Sequence, residues 1–194
     1  TNDPDIKFFH EHAHRTPESY NERNKKYIEL LLSATVKDPN DGRAWFYLGR
    51  TYKDNNQPVP AIDAYQSYLA LNGWHKGERW QAAYDMAQQW KGLGEYNKSF
   101  VCIDRSIEID PRMAESYALK ADLYMKLQDW DAAIKVLESA INLPLPLEDI
   151  LFVNPLYYNT MIKDLLVLCY DRVRNYLPPM EKCAREVAAE LKDT

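Results

Sequence analysis

The feature that most constrains this chain is an internal repeat. Three segments align with one another: AWFYLGRTYKDNNQPVPAIDAY from Ala44, AYDMAQQWKGLGEYNKSFVCI from Ala83, and YALKADLYMKLQDWDAAIKVL from Tyr117. Each reads as a helix, a short break and a second helix, so a single unit cannot bury its own apolar stripe. Leu48, Met86 and Lys120 hold the same place in their repeats, at spacings of 86 − 48 = 38 and 120 − 86 = 34 residues. Trp80, Ala83, Tyr84, Ala87 and Trp90 recur every three or four residues, as do Ala132, Ala133, Val136, Leu137, Ala140 and Ile141. These are one-sided helix faces that become dry only when helix pairs stack side by side.

The order of residue types within each unit resembles the tetratricopeptide repeat. Its Trp, Leu, Gly, Tyr, Ala and aromatic sites hold Trp45, Leu48, Gly49, Tyr52, Ala61, Tyr65 and Tyr68 in the first unit. The second has Ala83, Met86, Ala87, Trp90, Ser99, Ile103, Ser106 and Pro111, and the third Tyr117, Lys120, Ala121, Tyr124, Ala133, Leu137 and Ala140. The resemblance implies an all-α, right-handed superhelix of antiparallel helix pairs, with repeats at about 42–75, 80–113 and 114–147 and a degenerate one at 160–193. The last places Leu166 at the Leu site after a twelve-residue insertion, LPLPLEDILFVN. Ahead of the repeats a lone helix is expected over 16–37, capped by Thr16 with Pro17 at its first position. Its inner face would carry Tyr20, Tyr27, Ile28, Leu31 and Thr35. Gly73 suits a left-handed helix end with Trp74 folded over it.

Composition excludes several classes. Apolar residues are 46% and charged residues 27% of the chain, a globular balance, and only six glycines leave little material for a turn-rich β fold. A net charge of -5 gives no long-range attraction to nucleic acid or anionic membranes. No apolar run approaches the ~20 residues of a membrane span. Cys102, Cys169 and Cys183 are widely spaced without a CxxC, which points to buried thiols in a reducing, cytoplasmic compartment rather than to disulfides or zinc. No Ser-His-Asp set, phosphate-binding glycine loop or EF-hand pattern occurs.

A narrower resemblance lies around the first repeat. His10, His12 and His14, then Arg15, Arg23 and Asn24, Asp38-Pro39, Arg43, Phe46-Tyr47-Leu48, Gly73-Trp74, Glu78 and the later FVNPLYY are similar to the helical region that follows the catalytic domain in bacterial and viral family 2 glycosyltransferases. That resemblance implies a non-catalytic module cut from a larger transferase, with residues 1–15 as a linker or the end of a preceding domain. It also implies a parent enzyme using a divalent metal and a sugar nucleotide, with His12 or His14 beside the metal. The sequence has no strand-rich half, so the chain itself is expected to hold no metal, cofactor or catalytic residue. The alternative is a stand-alone peptide-binding adaptor.

The expected ligand surface is the concave face lined by the first helix of each pair. Repeat geometry assigns to it Arg43, Phe46, Arg50 and Lys53, then Gln81, Tyr84, Gln88 and Lys91, then Glu115, Asp122 and Met125. Basic and aromatic groups lie at one end and acids at the other. Such a strip suits an extended peptide, a glycan acceptor stacked on Phe46 or Tyr84, or the catalytic domain in cis. A chaperone tail ending in EEVD is disfavoured, because the positions that would clamp its carboxylate include Phe46, Arg50, Gln88 and the repelling Glu115. A homodimer through the degenerate repeat is a further expectation.

Overall fold

The computed structural model describes residues 17–72, 75–149 and 153–173. All regular structure among them is helical. The chain divides into two compact units, residues 1–72 and 73–194.

The first unit holds α1 (Pro17–Lys37), α2 (Gly42–Asp54) and α3 (Pro58–Ala70). Asp41 starts α2 by accepting the Ala44 amide at 3.1 Å, and Pro58 opens α3 where a missing N–H costs nothing. Leu31, Ala44, Leu48 and Ala64 form the dry centre, flanked by Ile28, Trp45 and Tyr52. Gly49 lets α2 approach α3 because Tyr65, fully buried, lies broadside across it. On α1, Leu31 and Thr35 are buried as the pattern predicts, but Tyr27 is exposed, and the inner position it was expected to share is held by buried Asn24. Thr16 and the side chain of Tyr20 lie outside the described residues.

The second unit begins with α4 (Lys76–Gly92), α5 (Tyr96–Ile109), α6 (Ala114–Lys126) and α7 (Trp130–Ala140). Gly73 and Trp74 lie outside the described residues; the N-cap seen at this junction is His75, whose Nδ1 accepts the Gly77 amide at 3.2 Å. A turn of π-helix, Tyr157–Met161, continues as α-helix over 162–173, and the whole is α8 here. Ala114, Ala118, Ala121, Ala133, Leu137, Ala140, Ile162, Leu166 and Cys169 make one core from α6, α7 and α8. Truncating Leu137, with 0% exposure, would cost roughly 2–5 kcal/mol. Small residues also bind helices directly: the Ser99 hydroxyl donates to the Ala87 carbonyl at 2.7 Å, and the Trp80 indole donates to Ser116 at 2.9 Å.

The repeat is visible in the backbone as well. The turn inside each helix pair contains one residue with positive φ: Asn56 at 55°, Gly94 at 78° and Gln128 at 61°. Their spacings, 94 − 56 = 38 and 128 − 94 = 34, reproduce those of Leu48, Met86 and Lys120. Only one of the three is glycine, so the turn's conformation is imposed by packing of the flanking helices and tolerated by short or flexible polar side chains.

Candidate peptide-binding faces

In the first unit, α2 buries Phe46, Leu48 and Thr51 and leaves Arg43 and Arg50 exposed, with Lys53 half-buried. Beside it an open pocket of about 400 Å³ lies between α1 and α2, lined by Arg23, Asn24, Tyr27, Tyr47, Arg50, Thr51 and Asp54. Its geometry is held by the Asn24 amide, which donates to the Asn55 side chain at 2.8 Å and ties α1 to the end of α2. Two guanidiniums face one carboxylate here, and two half-open tyrosine rings flank them. This arrangement suits an acidic segment whose apolar groups lie against the rings.

Phe46 corrects the expectation from repeat geometry. It is 3% exposed and packs against Tyr68, Tyr65 and Tyr47 at centroid distances of 5.4, 6.2 and 5.6 Å. Aromatic neighbours on α3 draw the ring inward, so no sugar can stack on it. Tyr84 is likewise closed at 8% exposure, stacked on Trp80 at 5.3 Å with the planes 16° apart. Burial pushes its phenol well above the ordinary tyrosine range, reinforced by the neighbouring Tyr157 phenol.

The polar positions assigned to the second unit are mostly satisfied from within. Gln81 donates to Asp85 at 2.9 Å, and Lys91 pairs with Asp122 at 2.5 Å, cancelling two charges expected to face a ligand. Glu115 is 3% exposed. It accepts the Asn154 amide at 2.6 Å and the Tyr158 hydroxyl at 3.1 Å. Its carboxyl is nonetheless raised, because burial outweighs those hydrogen bonds. Gln88 and Met125 are half-buried.

Among the described residues no group of three or more His, Cys, Asp or Glu side chains could hold a metal ion, and no helix is long and apolar enough to cross a membrane. His10, His12, His14 and Cys183 lie outside those residues. Cys102 and Cys169 are buried free thiols whose pKa values burial pushes up, as suits packing rather than reactivity.

The comparisons with known proteins agree with this architecture. Residues 43–72 and residues 114–144 each match a tetratricopeptide repeat model. The chain therefore carries tetratricopeptide repeats in an all-α fold. No curated protein matches it in sequence. Among solved structures, a crystal structure of MamA is 19% identical over 89% of this chain and 99% of its own, with a TM-score of 0.56. A second crystal structure of MamA is 21% identical over 86% of this chain and 87% of its own, with a TM-score of 0.58. The TPR2AB domain of yeast Sti1, in complex with pHSP90, is 18% identical over 81% of this chain and 58% of that one, at 0.54. None of these likenesses bears on the glycosyltransferase resemblance.

Proposed function

We propose that the chain is a protein-interaction module of the stand-alone adaptor kind, which takes an extended acidic peptide on its first unit. The observation that carries this reading is the contrast between the two units. Arg50 remains exposed in an open pocket with two tyrosines, whereas five of the polar or aromatic positions assigned to the second unit, Gln81, Tyr84, Lys91, Glu115 and Asp122, have internal partners. The Sti1 domain, solved in complex with pHSP90, supports a protein partner as the ligand class. A cytoplasmic setting belongs to the same proposal and is supported by the scattered cysteines.

The test is selection of a displayed peptide library against the chain, followed by calorimetry at physiological salt. Enrichment of Asp and Glu, and binding at least tenfold weaker to Arg50→Glu, are the expected outcomes. Selected peptides without acidic bias, or an unchanged affinity for that variant, would refute it.

The glycosyltransferase resemblance supports a second proposal, an accessory role beside a catalytic domain in cis that uses a sugar nucleotide and a divalent metal near His12 or His14. An A-type glycosyltransferase domain encoded upstream in the same reading frame is the observation that decides it.

A further inference from the structure

The insertion before α8 ends by crossing the inner face of the second unit. Asn154 presents its backbone N–H to one oxygen of Glu115 at 2.6 Å, and the Tyr158 hydroxyl lies 3.1 Å from the other. That hydroxyl also accepts the Ala114 amide at 3.1 Å and lies 3.1 Å from the Arg112 carbonyl, so it satisfies the orphan N–H at the start of α6. The Tyr157 phenol lies close enough to Tyr84 on α4 to help raise the pKa of that buried phenol. Five consecutive residues thus reach the first helices of two successive pairs through one backbone amide and two phenols, and the groups they meet are those that repeat geometry reserves for a ligand. The local backbone is a Pro155 turn, with the Asn154 side chain accepting the Leu156 amide at 3.1 Å, followed by a π turn. Single π-helical turns are rare and occur frequently at functional sites. Farther along α8, Ile162, Leu166 and Cys169 are buried in the core shared with α6 and α7, against which the half-buried Tyr157 and Tyr158 also pack.

We propose that the inner face of the second unit is a peptide site held in a self-occupied state. Asn154–Tyr158 is its resident ligand, and a partner segment reaches Tyr84 and Glu115 only by displacing it. The partner that fits is a tyrosine-bearing segment of the same chemistry, a turn that offers a backbone N–H to a buried carboxylate and, three and four residues on, two phenols. This site is distinct from the acidic-peptide face of the first unit, so either reading can fail alone.

The probe is a blocked synthetic peptide of residues 153–160, VNPLYYNT, titrated into the full chain and into the double variant Tyr157→Phe with Tyr158→Phe. Phenylalanine keeps the rings packed while removing the hydroxyls, so the intact peptide should outcompete the resident segment. The expected result is affinity for the variant at least tenfold tighter than for the parent chain, with the Trp80 indole NMR signal shifting on binding. Equal affinity for both chains, including no binding to either, would overturn the proposal. A measurement on the parent chain alone covers a variant that fails to fold. The Asn154 amide should exchange with solvent at least 100-fold faster than that of Leu119 in α6, since the segment lifts without global unfolding. Equal protection of the two amides would show that the segment is ordinary core and would overturn the idea equally.

Discussion

Replacing Gly49 by alanine puts a methyl carbon 2.7 Å from two ring atoms of Tyr65 and 2.9 Å from a third. The ring cannot swing away, because Tyr65 has 0% exposure and Phe46 packs on it at 6.2 Å. Overpacking of this kind costs roughly 1–3 kcal/mol, against which alanine returns up to about 1 kcal/mol of helix propensity. The net loss is therefore about 1–2 kcal/mol, a fall in Tm on the order of 5 °C for a chain of this size. Two other glycines separate the causes. Gly92, the last residue of α4, has nothing within 4 Å of an added Cβ, so Gly92→Ala should be neutral or stabilise by up to about 1 kcal/mol. Gly94 has equally open space but a φ of 78°, so Gly94→Ala should cost roughly 1–2 kcal/mol through backbone strain alone. Thermal melts followed by circular dichroism read all three. Gly49→Ala melting at or above the parent temperature would refute the close approach of α2 and α3, whatever the other two variants do.

Burial alone would raise the Asp110 carboxyl, but hydrogen bonds from Arg112 and Lys76 outweigh it and hold it at about 2 against an ordinary 3.8. Between those values the unfolded chain binds a proton that the folded chain refuses, so stability falls as pH drops from 3.8 toward 2, by about 2 kcal/mol in all. Urea titrations across that range should show the slope in the parent and a flatter one in Asp110→Asn; identical slopes would remove the ion pairs from the account. Ser116→Ala should cost about 1–3 kcal/mol by orphaning the buried Trp80 N–H, which bonds Ser116 at 2.9 Å. Adding Trp80→Phe should then cost less than it does in the parent, and strict additivity in that double-mutant cycle would argue against the bond. Asn24→Ala should destabilise the first unit by roughly 1 kcal/mol through loss of the Asn55 bond and should weaken acidic-peptide binding, which calorimetry would show.

The sequence reveals the helix pairs because their cause is periodic: Trp80, Ala83, Tyr84, Ala87, Ala133, Leu137 and Ala140 are all buried, as their spacing demands. Repeat position says which side of a helix a residue occupies, but not what covers that side. Glu115 is read from sequence as a groove carboxylate, yet its partner Asn154 lies 39 residues downstream in a non-repeating insertion that no period predicts. Tyr158, to which the sequence assigns no chemistry, supplies a further hydrogen bond to Glu115. Phe46 fails for a related reason, since the tyrosines that draw it inward come from the second helix of the same pair. The left-handed turns at Asn56 and Gln128 are hidden because neither is glycine.

Nitrogen-15 NMR mapping of a selected acidic peptide on the labelled chain tests the central claim most directly. Shifts should concentrate at Arg23, Tyr27, Tyr47 and Arg50 and leave Glu115 and Asn154 unmoved. Shifts centred on α4 and α6 instead, or a saturating peptide that moves no resonance of α1 and α2, would contradict it.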